Sequence, residues 1–309
     1  MQASADGTVS GRRPRIVLFV EAEGGDWHAR RLAKALEMRG AVVSTTSLCK
    51  CAFDTRIDCG LDIPCLGGQL PDGAFVRSVS AGSLEQITLR LGILHALETS
   101  GVTVWNNPRA IERCVDKSTA TWRFQHAGLP TPPTRAVEGI AAAEAVRQGR
   151  GTLVLKPLFG SQGNGVRRLA GTDSLPPPET VGHVYYLQEY QRGPDARTFE
   201  DWRVLVSRGR ILSAMMRKGR TWITNVHQGA EPLHHTPDDE MASLALRAAE
   251  AVGADYAGVD LIRALDGRLM VLEINSNPAW KGLQSVTGRD IADALAADFL
   301  DAVVRRLVR

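Results

Sequence analysis

The residues best suited to chemistry lie between Tyr256 and Trp280, in YAGVDLIRALDGRLMVLEINSNPAW. Two apolar runs, 258–262 and 269–274, each carry one acid, Asp260 and Glu273. A carboxylate among apolar neighbours needs a cation or dense hydrogen bonding. Asp266-Gly267 between the runs is a strong hairpin signal. In a hairpin the two acids can share one face of the sheet, where like charges repel unless something positive lies between them. Asn275, two residues past Glu273, points to the same face. Converging Asp, Glu and Asn oxygens suit Mg2+, a hard cation that shares its shell with phosphates. The alternative is an edge hairpin whose acids face water.

Cations occur at matching places. Residues 152–157 read as a strand ending on Lys156, followed by LFGSQGNGV at 158–166. The backbone N–H groups of such a glycine-rich loop can surround phosphate oxygens. It is no Walker A loop, because the lysine precedes the glycines and no Gly-Lys-Ser/Thr follows. Gly24 and Gly25 make no dinucleotide fingerprint.

Asp260 with Glu273-Ile274-Asn275 and Ser276-Asn277-Pro278 resembles the metal-binding end of ATP-grasp ligases. Gly282-Leu283-Gln284 and Thr287-Gly288-Arg289-Asp290-Ile291-Ala292 resemble the RimK-like glutamate ligase branch. The strand lysine with its glycine-rich flap, Gln188-Glu189-Tyr190, and Arg217-Lys218-Gly219-Arg220 followed by Asn225-Val226-His227-Gln228-Gly229-Ala230 extend the resemblance over roughly residues 15–306. The chain departs from the pattern at Ala230, where relatives have a second glycine. It departs again at Asn277-Pro278-Ala279-Trp280-Lys281, where many have Ser-Pro-Gly-Leu-Glu.

The resemblance implies an α/β (α+β) ATP-grasp fold: an N-terminal parallel-sheet domain at 15–128 after a tail at 1–14, a small central lid domain at 129–190, and a C-terminal antiparallel-sheet domain at 191–309. It implies a carboxylate–amine ligase that forms an amide through an acyl phosphate, using ATP and two Mg2+ ions, with Mn2+ as a substitute. Asp260, Glu273 and Asn275 would hold metal. Lys117, Lys156, Ser161, Gly163, Gly165, Gln188, Glu189, Tyr190 and Asp201 would bind ATP, with backbone groups at 189–190 on the adenine edge. Arg217, with Lys156, would stabilise the reacting phosphoryl group. Arg77, Arg203, Arg220, Asn225, His227, Trp280 and Lys281 would face substrates. These are L-glutamate and a carboxylate-bearing acceptor. Trp280 can stack on a flat ring, and Lys281 adds positive charge. Both favour a pterin-, deazaflavin- or furan-type coenzyme, tetrahydromethanopterin-like for example, over a protein tail or carrier protein. A non-catalytic nucleotide-binding regulator is the reading from another class, against which the intact acid set argues. A homo-oligomer, dimer or tetramer, is expected.

The positioning elements follow from pattern. Residues 15–20 read as a buried parallel strand, 28–39 as a helix closed by Gly40, and 41–46 as a second strand. Residues 72–77 form a strand ending on Arg77, 83–98 a helix, and 108–127 one helix carrying Lys117. Residues 128–133 are a stiff proline-rich linker. Further strands fall at 185–190, 201–206 and 211–217, and helices at 141–149, 237–252 and 288–308. With 37 basic and 34 acidic residues, the net charge of +3 is too weak to argue for nucleic acid. No apolar run approaches a membrane span, and a cytoplasmic protein is expected. Cys49, Cys51, Cys59 and Cys65 lack zinc-ribbon spacing and read either as reduced thiols or as a metal or redox site. His234 and His235 read as solvated loop residues or metal ligands.

Overall fold

The computed structural model describes residues 12–22, 24–160, 163–192 and 198–308. They form two compact units. The first holds the described residues up to 109 with 279–284 and those from 288 onward; the second holds 110–278 and 285–287.

The first unit is built on a parallel sheet. β1 (Arg15–Phe19) has Ile16, Val17, Leu18 and Phe19 almost fully buried, as a strand covered on both faces must. β2 (Val42–Thr46) lies on one side of it; β3 (Ala52–Phe53) and β4 (Leu61–Asp62) make a separate small antiparallel pair. β5 (Gly73–Val76) flanks β1 on the other side and pairs with β6 (Thr103–Trp105), giving the order β2-β1-β5-β6. α1 (Trp27–Met38) starts at Asp26, whose side chain accepts from the Ala29 N–H. α2 (Leu84–Thr99) starts with a reciprocal Ser83–Gln86 capping box. All five cysteines are free thiols. Burial pushes Cys51 up to about 12 and raises Cys65, which keeps both protonated at neutral pH.

Two helices replace the single one expected over 108–127. α3 (Pro108–Val115) stops and α4 (Lys117–His126) restarts because Asp116 caps the second: its carboxylate accepts from the N–H groups of Ser118 and Thr119 and from both hydroxyls. Lys117 therefore stands at the first turn of a helix rather than inside one.

Two antiparallel sheets follow. β7 (Thr134–Glu138), β8 (Leu153–Lys156), β9 (Arg167–Leu169) and β10 (Val184–Glu189) are ordered β7-β10-β8-β9, backed by α5 (Ile140–Arg147). β11 (Phe199–Ser207), β12 (Arg210–Gly219), β13 (Glu231–His234), β14 (Tyr256–Arg263) and β15 (Leu269–Asn275) are ordered β13-β12-β11-β14-β15. α6 (Asp239–Val252) and α4 cover one face of this larger sheet with Met241, Ala245, Ala248 and Phe124. The proline-rich segment before β7 is laid along β15. The Val271 N–H donates to the Pro130 carbonyl at 2.8 Å, and Thr131 Oγ1 donates to the Val271 carbonyl at 2.9 Å.

Two β-bulges set the register where charge is concentrated. The turn at Arg208-Gly209 puts Ser207 opposite Arg210, but a shift between Leu205 and Val206 brings Asp201 opposite Arg217. A second shift, between Asp260 and Leu261, brings Asp260 opposite Glu273. Each bulge moves the pairing by one residue, and a one-residue slip decides which face a side chain occupies.

After β15 come α7 (Lys281–Ser285) and α8 (Ile291–Leu307). α8, expected in the last domain, packs within the first unit: Phe299 meets Phe75 and Trp105 with ring centroids 5.2 and 5.6 Å apart, and Arg39 makes a double hydrogen bond to Asp293. Among the described residues, no helix is long and apolar enough to cross a membrane.

Candidate functional site

The second unit contains a cleft with roughly 910 Å³ of empty space, open solvent at its mouth included. That is room for a ligand of nucleotide size. Three elements bring cations and acids together in it. β8 ends on Lys156, α4 begins with Lys117, and the β14–β15 hairpin supplies Asp260 and Glu273. Val154, Ile262 and Leu272 give it apolar wall.

The charges form a chain. Asp260, 2% exposed, accepts from Arg203 Nε and Nη2, both at 2.7 Å, and from Arg217 Nη2 at 2.9 Å. Arg217 also donates through Nε and Nη2 to the two oxygens of Asp201, at 2.7 and 2.6 Å. Thr224 Oγ1 closes the chain on Asp201 Oδ2 at 2.6 Å. Burial alone would raise the Asp260 carboxyl; the Arg203 and Arg217 guanidinium charges outweigh it and hold it far below the usual carboxylate range. Arg217 is held above its ordinary value despite burial, by Asp201 and Asp260. This chain answers the repulsion of two acids placed opposite each other: Asp260 is neutralised from its own strand neighbours, while the charge of Glu273 falls on the two lysines.

Both lysines sit below the ordinary lysine range, chiefly because burial penalises the ammonium. Lys117 adds to the lowering at Lys156, and Glu273 opposes it at both. Lys117 Nζ donates to the Gly160 carbonyl at 3.0 Å, so it grips the root of the glycine-rich flap. Two flap glycines hold left-handed backbone, and at Gly165 the Pro157 ring also leaves no room for a side chain. Gly163, at φ +73°, would put a Cβ 2.8 Å from Gln228 Nε2. Gly165, at φ +72°, would put one 2.8 Å from Pro157 Cγ. Gly163 lines the cleft; Gly165 rests behind it on Pro157. Ser161 lies outside the described residues.

Several expected contacts are already committed elsewhere. Asp201 lines the cleft and, like Asp260, accepts one hydrogen bond on Oδ1 and two on Oδ2, from Arg217 and Thr224. The N–H groups of Glu189 and Tyr190 donate to Pro133 and Thr152, and the Glu189 carboxylate pairs with Arg150 at 2.8 Å. Tyr190 and Gln191 both line the cleft, and the next backbone N–H along the chain is that of Gln191. Gln188, 1% exposed, donates to Thr134 Oγ1 and the Tyr186 hydroxyl beneath.

Asn225 lines the cleft and caps a short turn by accepting from the His227 N–H. Arg220 and His227 are exposed; Arg203 lies behind Asp260. Arg77, Trp280 and Lys281 belong to the first unit. Trp280 is fully buried, with His28 edge-on at 4.8 Å and the Arg77 guanidinium over its ring at 5.0 Å. It cannot stack on a ligand ring, so the sequence argument for an aromatic acceptor from Trp280 falls. Lys281 is exposed. His234 Nδ1 contacts the Val286 carbonyl at 3.0 Å.

The donor chemistry fits a hard divalent cation. Glu273 has no hydrogen-bond partner among the described residues, and Asn275 Oδ1 spends one acceptor position on the Asn277 N–H at 2.9 Å. Among the described residues no group of three or more His, Cys, Asp or Glu gathers at one point. Two carboxylates and one amide cannot fill an octahedron alone, as expected where phosphate oxygens complete it.

The sequence reading missed Thr224, which locks Asp201, and Trp222, whose ring meets Tyr190 edge-on at 6.1 Å. An aromatic inside a polar, arginine-rich loop is a signal that could have flagged Trp222. It also missed Arg192, which lines the cleft and donates to the Glu200 carbonyl at 2.6 Å.

Residues 119–299 match the model of the RimK-like ATP-grasp domain. The tetrahydromethanopterin:alpha-L-glutamate ligase of Methanococcus maripaludis is 32% identical over 234 residues, covering 74% of this chain and 78% of that protein. The enzyme of the same description from Methanocaldococcus jannaschii is 33% identical over 242 residues, covering 75% and 80%. The structure of the ATP-grasp ligase PsnB complexed with minimal precursor superposes with a TM-score of 0.71 at 20% identity, covering 95% of this chain and 99% of that one.

Proposed function

The chain belongs to the RimK-like ATP-grasp family and is a ligase, and from that premise we propose that it uses ATP to join L-glutamate to a carboxylate-bearing coenzyme of the tetrahydromethanopterin class. The observation that carries the reaction type is the cleft where Lys117, Lys156, Glu273 and Asp260 converge. The acceptor class rests on the relatives at 32% and 33% identity.

A carboxylate does not condense with an amine at neutral pH without activation. Transfer of the terminal phosphoryl group of ATP to the acceptor carboxylate gives an acyl phosphate and ADP; attack by the glutamate amine then expels phosphate. The protein contributes positioning and charge neutralisation. Lys117 and Lys156, both depressed by burial, which Glu273 opposes, stand where phosphate charge would favour their ammonium form. Arg217 lines the cleft with Nε and Nη2 fixed on Asp201 and Asp260, which leaves Nη1 as the donor it would offer to the phosphoryl group. Tyr190 and Gln191 offer backbone to adenine against Val154, Ile262 and Leu272. Asp260, Glu273 and Asn275 would hold Mg2+, two ions with the phosphates, and Mn2+ can replace it. The bound metal would neutralise phosphate charge. Asn225, with Arg220 and His227 in the same loop, would lie on the substrate side, and Gly163, with Lys117 held on the Gly160 carbonyl, would border the phosphates.

The test is incubation with Mg2+, ATP and L-glutamate beside a tetrahydromethanopterin-type pterin or a protein C-terminal peptide, read by mass spectrometry. A gain of one glutamyl unit on the pterin is the expected result. Modification of the peptide alone would refute the acceptor and leave the ligase intact.

A further inference from the structure

A second polar site lies in the first unit, at the carboxyl ends of its parallel strands. In the order β2-β1-β5-β6 the chain runs from β1 to one side and returns on the other, so the strand order reverses between β1 and β5. Ligands of open α/β sheets bind beyond the carboxyl ends at the point where strand order reverses. Arg77 stands there, one residue past β5, with its N–H donating to the Phe19 carbonyl of β1 at 2.9 Å.

Its side chain is 8% exposed, and Nε and Nη1 are buried without a hydrogen-bond partner among the described residues. A guanidinium in that state lacks a compensating anion. Trp280 lies beneath it at 5.0 Å, and the Trp280 indole N–H is likewise buried and without a partner among the described residues. Asp26 stops 4.0 Å from Nη2, beyond hydrogen-bond reach.

Asp26 is itself well arranged. One oxygen accepts from the Ala29 N–H and the other from His28 Nδ1, while His28 Nε2 accepts from the Lys281 N–H. Its side chain remains 54% exposed, with an acceptor position left on each oxygen. Burial would raise its carboxyl, but His28, the Ala29 N–H and the Arg77 charge hold it far below the usual range, so it is ionised at neutral pH.

A guanidinium with donors to spare and an ionised carboxylate 4.0 Å away match the two ends of a zwitterion. We infer that Arg77 and Asp26 bind the α-carboxylate and α-ammonium of the amino-acid substrate. This assignment rests on the ligase reading above, and names L-glutamate as the occupant. His28, pinned between Asp26 and the Lys281 backbone, is a positioning residue for the carboxylate.

The experiment is isothermal titration of the full-length protein with L-glutamate, with glutarate as the analogue lacking the ammonium group, and with Mg-ATP. L-Glutamate should bind roughly tenfold or more tighter than glutarate. Arg77→Met should weaken L-glutamate by about tenfold to a hundredfold while Mg-ATP stays within about twofold, which also reports that the variant is folded. Asp26→Asn keeps a capping oxygen; it should lose L-glutamate affinity but leave glutarate unchanged. Should Arg77→Met fail to bind Mg-ATP, Arg77→Lys decides, since it keeps the charge but loses the planar fork. Unchanged L-glutamate affinity in the folded arginine variant overturns the assignment. So does a parent protein that binds Mg-ATP but none of the twenty amino acids. Arg77-dependent binding of an amino acid other than glutamate upholds the site and refutes the glutamate part of the proposed function.

Discussion

Arg217→Met removes the guanidinium that is hydrogen-bonded to two buried acids. Arg217, Asp201 and Asp260 have side chains 5%, 3% and 2% exposed, so neither acid can turn to water. Asp260 retains the Arg203 fork, but Asp201 is left with the Thr224 hydroxyl alone. Removing one partner from a buried ion pair costs about 3–5 kcal/mol. Each kcal/mol lowers the melting temperature of a unit of this size by roughly 2–4 °C, so a fall of roughly 6–20 °C is expected. Calorimetry of the parent, Arg217→Met, Asp201→Ala and the double variant measures it. Because the two residues are in contact, the double variant should lose about 1–3 kcal/mol less than the sum of the singles. The acid limb should move too. The folded-state carboxyl of Asp260 lies below its unfolded value, so its contribution is present above the unfolded value and is lost as pH falls through the folded one. Without Arg217 that loss begins at higher pH. A melting temperature within roughly 2 °C of the parent would refute the view that this chain of charges holds the sheet together.

Glu273→Gln should keep the fold but abolish ADP release, since an amide cannot hold Mg2+ against phosphate repulsion; turnover within about threefold of the parent sinks the metal assignment. Gly163→Ala forces a side chain onto Gln228 at a left-handed backbone angle, at a cost of about 1–3 kcal/mol, and should slow turnover with little change in unfolding of the sheets. Lys156→Met should stabilise the nucleotide-free protein at pH 7 while weakening ATP binding. The folded lysine is depressed, so between its folded value and the unfolded value near ~10.4 the unfolded chain holds the extra proton. The penalty is full below that window and lifts as pH rises through it, so denaturation at pH 7 and pH 10 should show the methionine's advantage shrinking. Asp116→Ala removes the cap of α4 and should cost about 1 kcal/mol by urea titration, with a matching loss of ATP affinity through Lys117.

What the sequence reveals depends on burial. The β14–β15 hairpin, the strand bearing Lys156 and the amphipathic α6 and α8 were all readable, because a buried face imposes a period. β7, β9 and β13 were not read as strands. All three are edge strands with mostly half-buried or exposed residues, held by backbone pairing that leaves little trace in side-chain pattern. The carboxylates Asp260 and Glu273 announced themselves by sitting among apolar neighbours. Their partners did not. Counting back from the Arg208-Gly209 turn sets Met216, not Arg217, opposite Asp201; the bulge at Leu205 corrects this by one residue. A bulge of that kind has no residue signature. Trp280 misled for the opposite reason: an aromatic beside a metal motif is equally consistent with a ring platform and with a buried support for Arg77.

The return of the chain to its first unit has a bearing on how it can be cut. Residues 110–278 are in effect an insertion between two parts of one folding unit, which resumes at 279. A fragment ending before 279 would strip Phe299 from Phe75 and Trp105 and leave an apolar sheet face bare. A fragment ending at 128 would fare no better, although the proline-rich segment there looks like a natural boundary. The inserted part carries its own core and sheet hydrogen bonds, whereas the surrounding part is assembled from segments far apart in sequence. Limited proteolysis should therefore release a stable inner piece, while the outer pieces stay together after cleavage or unfold at once.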